Sequence, residues 1–328
     1  MRALQIARHG APHEVVQLVE LPEPAAPKPD EVLAAVEYAP INMSEILRIL
    51  GQYPLLPRAL PALVGNEGVA RILAVGKAVH GLREGDRVLV PPTHATWRER
   101  LLLPAAGLLA LPGGIDPEQL SMLSINPPTA ALMLSEYVDL KPGDWVIQNA
   151  GNSSVGRCVI AFARSRGLRT ISVVRRPELV EEVRAAGSEV VLLEGADLAA
   201  RVAAATKKAA VRLAMDGVAG ASGASLASAL APGGSLVVYS FMSRQPVQVR
   251  GADSVFRNIA VHGFWLYSPP FRGSPKIADA LKSGARLIAE GNLKVPVAAR
   301  YPLTKPSAAL GHALDGGKVL FQISPQPG

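Results

Sequence analysis

Residues 145–240 alternate short apolar runs with helical stretches, and nothing else in the 328-residue sequence limits the fold as tightly. Strand-like runs at 145–149, 170–174, 190–193, 211–216 and 235–240 are separated by helical segments at 155–167, 177–186, 198–206 and 223–230. Two parallel strands cannot be joined by a tight hairpin; each pair needs a crossover, usually a helix. Repeated strand–helix units therefore predict an α/β chain whose doubly wound parallel sheet, of the Rossmann type, is covered by helices on both faces. Ahead of it the pattern differs. Pro22, Pro24, Pro27 and Pro29 precede a strand-like run at 31–37, and runs at 63–76 and 86–90 are cut by glycines. Such punctuation predicts a compact, barrel-like β domain. A helical stretch over 117–138, with Asn126-Pro127-Pro128-Thr129 opening a new helix, marks the change. Beyond residue 265 a helix at 275–290 leads back to strand-like runs at 295–302 and 319–323, predicted to rejoin the β domain. The expected division is 1–118 with 266–328 for the β domain, and 119–265 for the parallel sheet.

The sharpest motif lies at the first turn of that sheet. Trp145-Val146-Ile147-Gln148-Asn149 runs into Ala150-Gly151-Asn152-Ser153-Ser154-Val155-Gly156. The spacing Gly151-x-Ser153-x-x-Gly156 is that of a dinucleotide-binding turn with Ser at the middle glycine. Backbone N–H groups at the helix start, here Asn152 to Gly156, can hold a pyrophosphate, helped by the helix dipole. Chains that bind NAD usually place an acid at the tip of the second strand, on the ribose hydroxyl. Here that strand ends in Arg175-Arg176-Pro177. Two guanidiniums suit a dianionic 2′-phosphate, so NADPH is the cofactor expected. The alternative is a pair of solvated arginines. The residues from Tyr239 through Phe241 to Met242 follow a strand of the same sheet. They are expected to line the cofactor groove, because ligands bind at the carboxyl ends of parallel strands.

Other features exclude function classes. A single cysteine, Cys158, rules out a disulfide framework and any multi-cysteine zinc or iron–sulfur site. It is expected to pack as a small apolar residue. The six histidines (His9, His13, His80, His94, His262 and His312) show no paired ligand spacing. No apolar stretch reaches the roughly 20 residues that span a bilayer, and the first residues lack an apolar signal core. A cytoplasmic protein without membrane association is the expectation. Lys and Arg outnumber Asp and Glu by 34 to 27, a net charge of +7 without any basic run. With aromatics at 5%, no nucleic-acid partner is expected. The charge suits anionic small molecules or an acidic carrier protein.

Several segments carry a resemblance. They are Ile41-Asn42-Met43-Ser44-Glu45-Ile46, Gly51-Gln52-Tyr53-Pro54-Leu55-Leu56-Pro57, Gly65-Asn66-Glu67-Gly68, Thr96-Trp97-Arg98, Asn126-Pro127-Pro128-Thr129, Arg244-Gln245-Pro246-Val247 and Gly263-Phe264-Trp265-Leu266. In their order along essentially the whole chain, these resemble the medium-chain dehydrogenase/reductase superfamily. Within it they are similar to mitochondrial-type trans-2-enoyl-thioester reductases of the quinone oxidoreductase-like branch. The resemblance implies a GroES-like β-barrel catalytic domain joined to the Rossmann domain. It implies NADPH-dependent reduction of the C2=C3 double bond of trans-2-enoyl thioesters, with enoyl-CoA or an enoyl-acyl-carrier protein as substrate. It also implies a homodimer. Tyr53 would be the proton donor or enolate stabiliser, and Trp97 is open between a neighbour of the reacting atoms and a core residue. Asn42 and Thr129 are candidates for polar contacts at the nicotinamide. Lys318 is open between a cofactor contact and a solvated lysine, and Phe264 and Trp265 between the edge of the cofactor site and a dimer contact. There are departures. The family usually has Asn-Pro-Ser-Asp at Asn42-Met43-Ser44-Glu45, often has Ser at Gly151, and has a longer segment between Val90 and Trp97.

Alcohol dehydrogenases of that superfamily hold a catalytic zinc through Cys and His, and such a site needs three protein ligands. The corresponding positions here are Pro40-Ile41-Asn42 and Gly65-Asn66-Glu67, so no metal is expected. A conjugated carbonyl accepts charge without a Lewis acid, which favours C=C reduction over oxidation of a simple alcohol. The alternative enzyme on the same fold is an NADPH:quinone oxidoreductase, for which Tyr53 would be dispensable. A non-catalytic NADPH-binding protein is the third reading.

Overall fold

The computed structural model describes residues 1–92 and 94–324. Residue 93, in the short segment between Val90 and Trp97, and residues 325–328, at the end of the expected β domain, lie outside the described residues. The chain divides into two compact units, Met1–Ser124 with Val295–Gly328, and Ile125–Lys294.

The first unit opens with β1 (Arg2–Ile6), α1 (Pro12–Val15), β2 (Val16–Glu20), β3 (Glu31–Pro40) and α2 (Met43–Ile49). It continues through β4 (Ala62–Leu63), β5 (Val69–Val75), β6 (Arg87–Leu89), β7 (Arg100–Pro104) and α3 (Pro117–Leu120). The second unit holds α4 (Asn126–Glu136), β8 (Trp145–Gln148), α5 (Ser154–Ser165), β9 (Arg169–Val174), α6 (Leu179–Ala185) and β10 (Val190–Leu193). Then come α7 (Leu198–Ala205), β11 (Val211–Asp216), α8 (Gly220–Ala229), β12 (Ser235–Val238), α9 (Gly251–Arg257), β13 (Ala260–Gly263) and α10 (Pro275–Ala289). The chain returns to the first unit with β14 (Val297–Tyr301), α11 (Pro306–Asp315) and β15 (Lys318–Gln322).

In the first unit β1 pairs antiparallel with β2 and β4, and a second sheet runs β14-β15-β3-β5-β6, with β7 also on β3. Alternate residues of these strands face one core, which includes Leu4, Ile6, Val32, Val36, Ile72, Leu101, Leu103 and Phe321. The β15–β3 register sets Leu320 against Pro40, and the Ile41 N–H donates to the Val319 carbonyl at 3.0 Å. That single pairing carries Lys318 to the segment around Asn42.

In the second unit all six strands are parallel, in the order β10-β9-β8-β11-β12-β13. The sequence order reverses between β8 and β11, the place where doubly wound sheets bind ligands. Strand β8 is buried at all four positions, as expected of a central parallel strand covered on both faces.

The observed division differs from the expected one mainly at its second boundary. The chain stays in the parallel-sheet unit through α10. That helix packs on α4, buries Leu287 with Leu293 in the same core, and is tied by an ion pair from Lys276 to Glu136 at 2.6 Å. Elements α9, β13 and α11 were also absent from the sequence expectation.

Candidate active site

In the second unit the phosphate turn lies between β8 and α5. Ser153 is the N-cap of α5, and its hydroxyl accepts from the Gly156 N–H at 3.0 Å. This leaves the remaining amides of the first turn without helical partners, as at any helix start. Gly156 is required here: a Cβ would stand 2.6 Å from the Ala150 carbonyl oxygen and 2.8 Å from that of Gly151. Gly151, one of the departures, has its own cause. A Cβ there would sit 2.6 Å from the Cβ of Ser172 on β9. The Ser172 hydroxyl is in turn engaged by Gln148 and Ser188. Asn152, Ser154 and Val155 are half-buried along the same turn.

Strand β9 lies beside β8 and delivers Arg175 and Arg176 to its carboxyl end, both exposed. Arg176 meets Glu178 at 3.4 Å, with both side chains well exposed. At the end of β12, Phe241 and Met242 are about half exposed, 51% and 53%. Tyr239 lies beside Ser153 and Asp216; burial pushes its phenol up, and the Asp216 charge adds to this. Behind the turn, fully buried Asp216 accepts from Asn149 Nδ2 at 2.6 Å and from the Val218 and Ala219 N–H groups, both at 2.8 Å. These bonds fix the loop after β11. This cradle fits a dinucleotide: amides of α5 for the pyrophosphate, with Arg175 and Arg176 at the tip for a 2′-phosphate.

The other candidates in this unit fall differently. Thr129 is buried in the first turns of α4. Phe264 is a core residue, 5% exposed and 4.9 Å from the ring of Phe271, so the expectation of a cofactor contact is corrected to packing. Trp265 is half-buried, with its ring edge-on to Tyr267.

The first unit gathers Asn42, Glu45, Glu67, Ser124 and Lys318. The Asn42 backbone N–H donates to Glu45 Oε2 at 2.9 Å, closing the start of α2. Its Nδ2 donates to Glu67 Oε1 at 2.6 Å, and its Oδ1 accepts from Lys318 Nζ at 2.5 Å. The Ser44 and Ser124 hydroxyls donate to Glu45 Oε2 and Glu67 Oε2, each at 3.1 Å. Burial, and then the neighbouring Glu67 carboxylate, push the Glu45 carboxyl up to about 7, against the pull of Lys318. Lys318 is buried, so the solvated alternative is set aside. Asn42 is a linker between charged groups. Glu45 and Ser124 were not foreseen as members of this cluster, although the capping spacing Asn42-x-x-Glu45 was visible.

Tyr53 is half-buried in the loop after α2. That loop starts with Gly51 at φ +76°, a left-handed turn that suits glycine. The Arg48 guanidinium lies 5.8 Å from the Tyr53 ring centroid. Trp97 is 0% exposed, edge-on to Phe321 with centroids 5.0 Å apart, and its Nε1 donates to the Pro40 carbonyl at 3.4 Å. The structure thus shows the core-packing alternative for Trp97.

A catalytic zinc does not fit the segments around Asn42 and Glu67. The donors there are an amide and a carboxylate already joined to each other, with an ammonium seated on the amide oxygen, and that positive charge would repel a dication. Among the described residues no group of three or more His, Cys, Asp or Glu could hold a metal ion. Nor is any helix among them long and apolar enough to cross a membrane.

Comparison with known proteins agrees with this geometry. Residues 28–112 match the alcohol dehydrogenase GroES-like domain, and residues 154–283 match the zinc-binding dehydrogenase family. The mitochondrial enoyl-[acyl-carrier-protein] reductase of Rattus norvegicus is 38% identical, over 98% of this chain and 88% of that protein. The solved Etr1p/NADP/crotonyl-CoA complex superposes with a TM-score of 0.87 at 28% identity, covering 98% of this chain and 99% of that one. A putative NADPH:quinone reductase from Bacillus thuringiensis also reaches 0.87, at 27% identity and 98% coverage of both chains. The curated relatives are mitochondrial enzymes, which overturns the expectation of a cytoplasmic location. With that identity over nearly its full length, the chain belongs to the enoyl-[acyl-carrier-protein] reductase family of the medium-chain dehydrogenase/reductases.

Proposed function

We propose that this protein reduces the C2=C3 double bond of trans-2-enoyl thioesters with NADPH. The observation that carries the reading is the phosphate turn with two arginines at the tip of the next strand, in a chain 38% identical to an enoyl reductase. The cofactor, when bound, supplies the hydride that goes to the β-carbon of the substrate. The amides of α5 and the caps around Ser153 hold its pyrophosphate, and Arg175 and Arg176 select the 2′-phosphate.

The thioester carbonyl is conjugated to the double bond, so hydride addition at the β-carbon yields an enolate without metal assistance. Tyr53 stabilises that enolate through its hydroxyl and gives a proton at the α-carbon. Enoyl-CoA and enoyl-acyl-carrier protein share the reacting group, and the net charge of +7 suits either acidic carrier.

Two copies associate through the second unit in this reading. Support comes from β13, the last strand of its sheet, whose Val261 is 46% exposed, and from the neighbouring Val255 and Phe256 on α9, 73% and 85% exposed. An open apolar edge of this kind is usually covered. A monomeric wild-type protein in sedimentation would refute the pairing.

The test of function follows NADPH oxidation with short and medium trans-2-enoyl-CoA and, in parallel, with a quinone, for wild type and Tyr53→Phe. Enoyl turnover that falls at least about tenfold in the variant, 1.4 kcal/mol of transition-state stabilisation, is expected. Quinone reduction equal in both proteins, without enoyl turnover, would move the assignment to a quinone oxidoreductase.

A further inference from the structure

The cluster around Asn42 contains two buried carboxyl groups and one buried ammonium. Glu45 is 2% exposed, Glu67 0% and Lys318 9%. If both acids were ionised, the cluster would carry a net negative charge away from water. Two carboxylates that share a site with one cation meet this cost by keeping a proton. A second observation points the same way. Glu45 Oε1 is buried and has no hydrogen-bond partner. An orphaned oxygen costs far less on a neutral acid than on an anion.

We infer that Glu45 and Glu67 hold one proton between them and that this proton seats α2, making Glu45 a positioning residue for the Tyr53 loop. The inference rests on Tyr53 being the proton donor proposed above. Helix α2 supplies the mechanical link. Glu45 Oε2 receives the Asn42 N–H at the start of α2. At the other end of the same helix, Arg48 lies against the Tyr53 ring, and the Gln52 N–H donates to the Leu47 carbonyl at 2.8 Å. A shift of α2 away from Glu67 is thus carried to Tyr53 within two turns of helix. The charged groups that act on Glu45 are Glu67, ahead of β5, and Lys318, on β15. On the far side of α2, His9 Nδ1 meets the Ile49 carbonyl at 3.2 Å, while His13 and Glu14 of α1 are exposed.

The sign is fixed by the direction of the shift. Glu45 is held above its ordinary value in the folded chain, so its contribution to stability is complete at acid pH. It is lost as pH rises through about 7. Above that, Glu45 and Glu67 repel each other and α2 loosens.

The experiment compares wild type with Glu45→Gln, which keeps an oxygen for the Asn42 N–H and cannot ionise. Melting temperature is followed from pH 5 to pH 9 with kcat for enoyl-CoA in the same buffers. The wild type should lose melting temperature relative to Glu45→Gln as pH passes neutrality. Its kcat should fall by about tenfold above pH 8, the scale expected of a misplaced catalytic group, while Glu45→Gln stays level. A melting difference that is constant across the range overturns the shared proton. A pH-dependent melting difference with a level wild-type kcat overturns the positioning role. If Glu45→Gln does not fold, the infrared band of a protonated carboxyl in the wild-type protein is the alternative readout. Its presence at pH 6 and loss by pH 9 supports the proton, and its absence at pH 6 overturns it. Absence of enoyl turnover at every pH would count against Tyr53 and the reaction, while melting and infrared still decide the proton.

Discussion

The two units build their sites from different materials. In the parallel-sheet unit the cradle is main chain: the first amides of α5, a turn made passable by Gly151 and Gly156, and arginines left in solvent at the rim. In the β unit it is a set of side chains, all buried but the half-buried Asn42, from four separate segments: Asn42 with Glu45, then Glu67, Ser124 and Lys318. A main-chain cradle meets an anion with partial charges that the fold must orient in any case, so it adds no buried charge. A side-chain cluster buries whole charges and depends on each partner for its neutrality. The first should therefore fail locally when disturbed, and the second should endanger the unit that holds it.

The largest effect is expected from Lys318→Met. It removes the ammonium and leaves two buried carboxyls without their cation. Breaking a buried pair in this way costs about 3–5 kcal/mol, read by urea unfolding at pH 8. At pH 5 the loss should shrink, because both acids can then be protonated. A loss equal at both pH values would break the comparison. Paired glycine variants give the next largest effect. Gly65 stands at φ +100°, and a Cβ would lie 2.6 Å from Thr96 Oγ1 and 2.7 Å from the Trp97 backbone nitrogen. Gly65→Ala should cost about 1–3 kcal/mol of stability and spare the NADPH Kd. Gly156→Ala pushes α5 off its turn, at a similar cost, and should weaken NADPH binding about tenfold. If both variants weakened NADPH equally, the division of labour between the units would be wrong.

The same contrast explains what could be read in the sequence. Parallel strands such as β8 and β11 are mostly apolar, and the turn after β8 has a local spacing, so both were visible in a window of a dozen residues. Helix α9 carries Val255 and Phe256 outward and has no buried apolar face to give it a period, so it was missed with the short β13 that follows. Helix α10 was read as a helix but placed in the wrong unit, because its packing on α4 is a tertiary fact. The cluster around Asn42 was the least legible. Lys318 reaches it only through the β15–β3 register, and Glu67 through hydrogen bonds from the Asn42 side chain, 25 positions earlier, and from Ser124, 57 positions later. Trp97 was open for a different reason. An aromatic beside a family motif reads equally as functional or as core, and its burial against Phe321 is a tertiary fact.

The smallest expected effect tests the rim of the main-chain cradle. Arg175 and Arg176 are exposed, and an exposed ion pair such as Arg176 with Glu178 contributes little to stability. Arg175→Ala and Arg176→Ala should therefore leave unfolding within about 0.5 kcal/mol of wild type. Each guanidinium gives a charge-assisted contact to a 2′-phosphate that NADH lacks. In water such a contact is worth roughly 1 kcal/mol, so each variant should raise the NADPH Kd about fivefold and leave the NADH Kd unchanged. The double variant should raise the NADPH Kd further than either single one, by an amount that departs from their product because the two arginines share one phosphate. A ratio of NADPH to NADH affinity that survives the double variant would mean that the arginines are only solvated. Discrimination would then have to come from elsewhere along the carboxyl ends of the sheet, where Phe241 and Met242 supply surface but no charge.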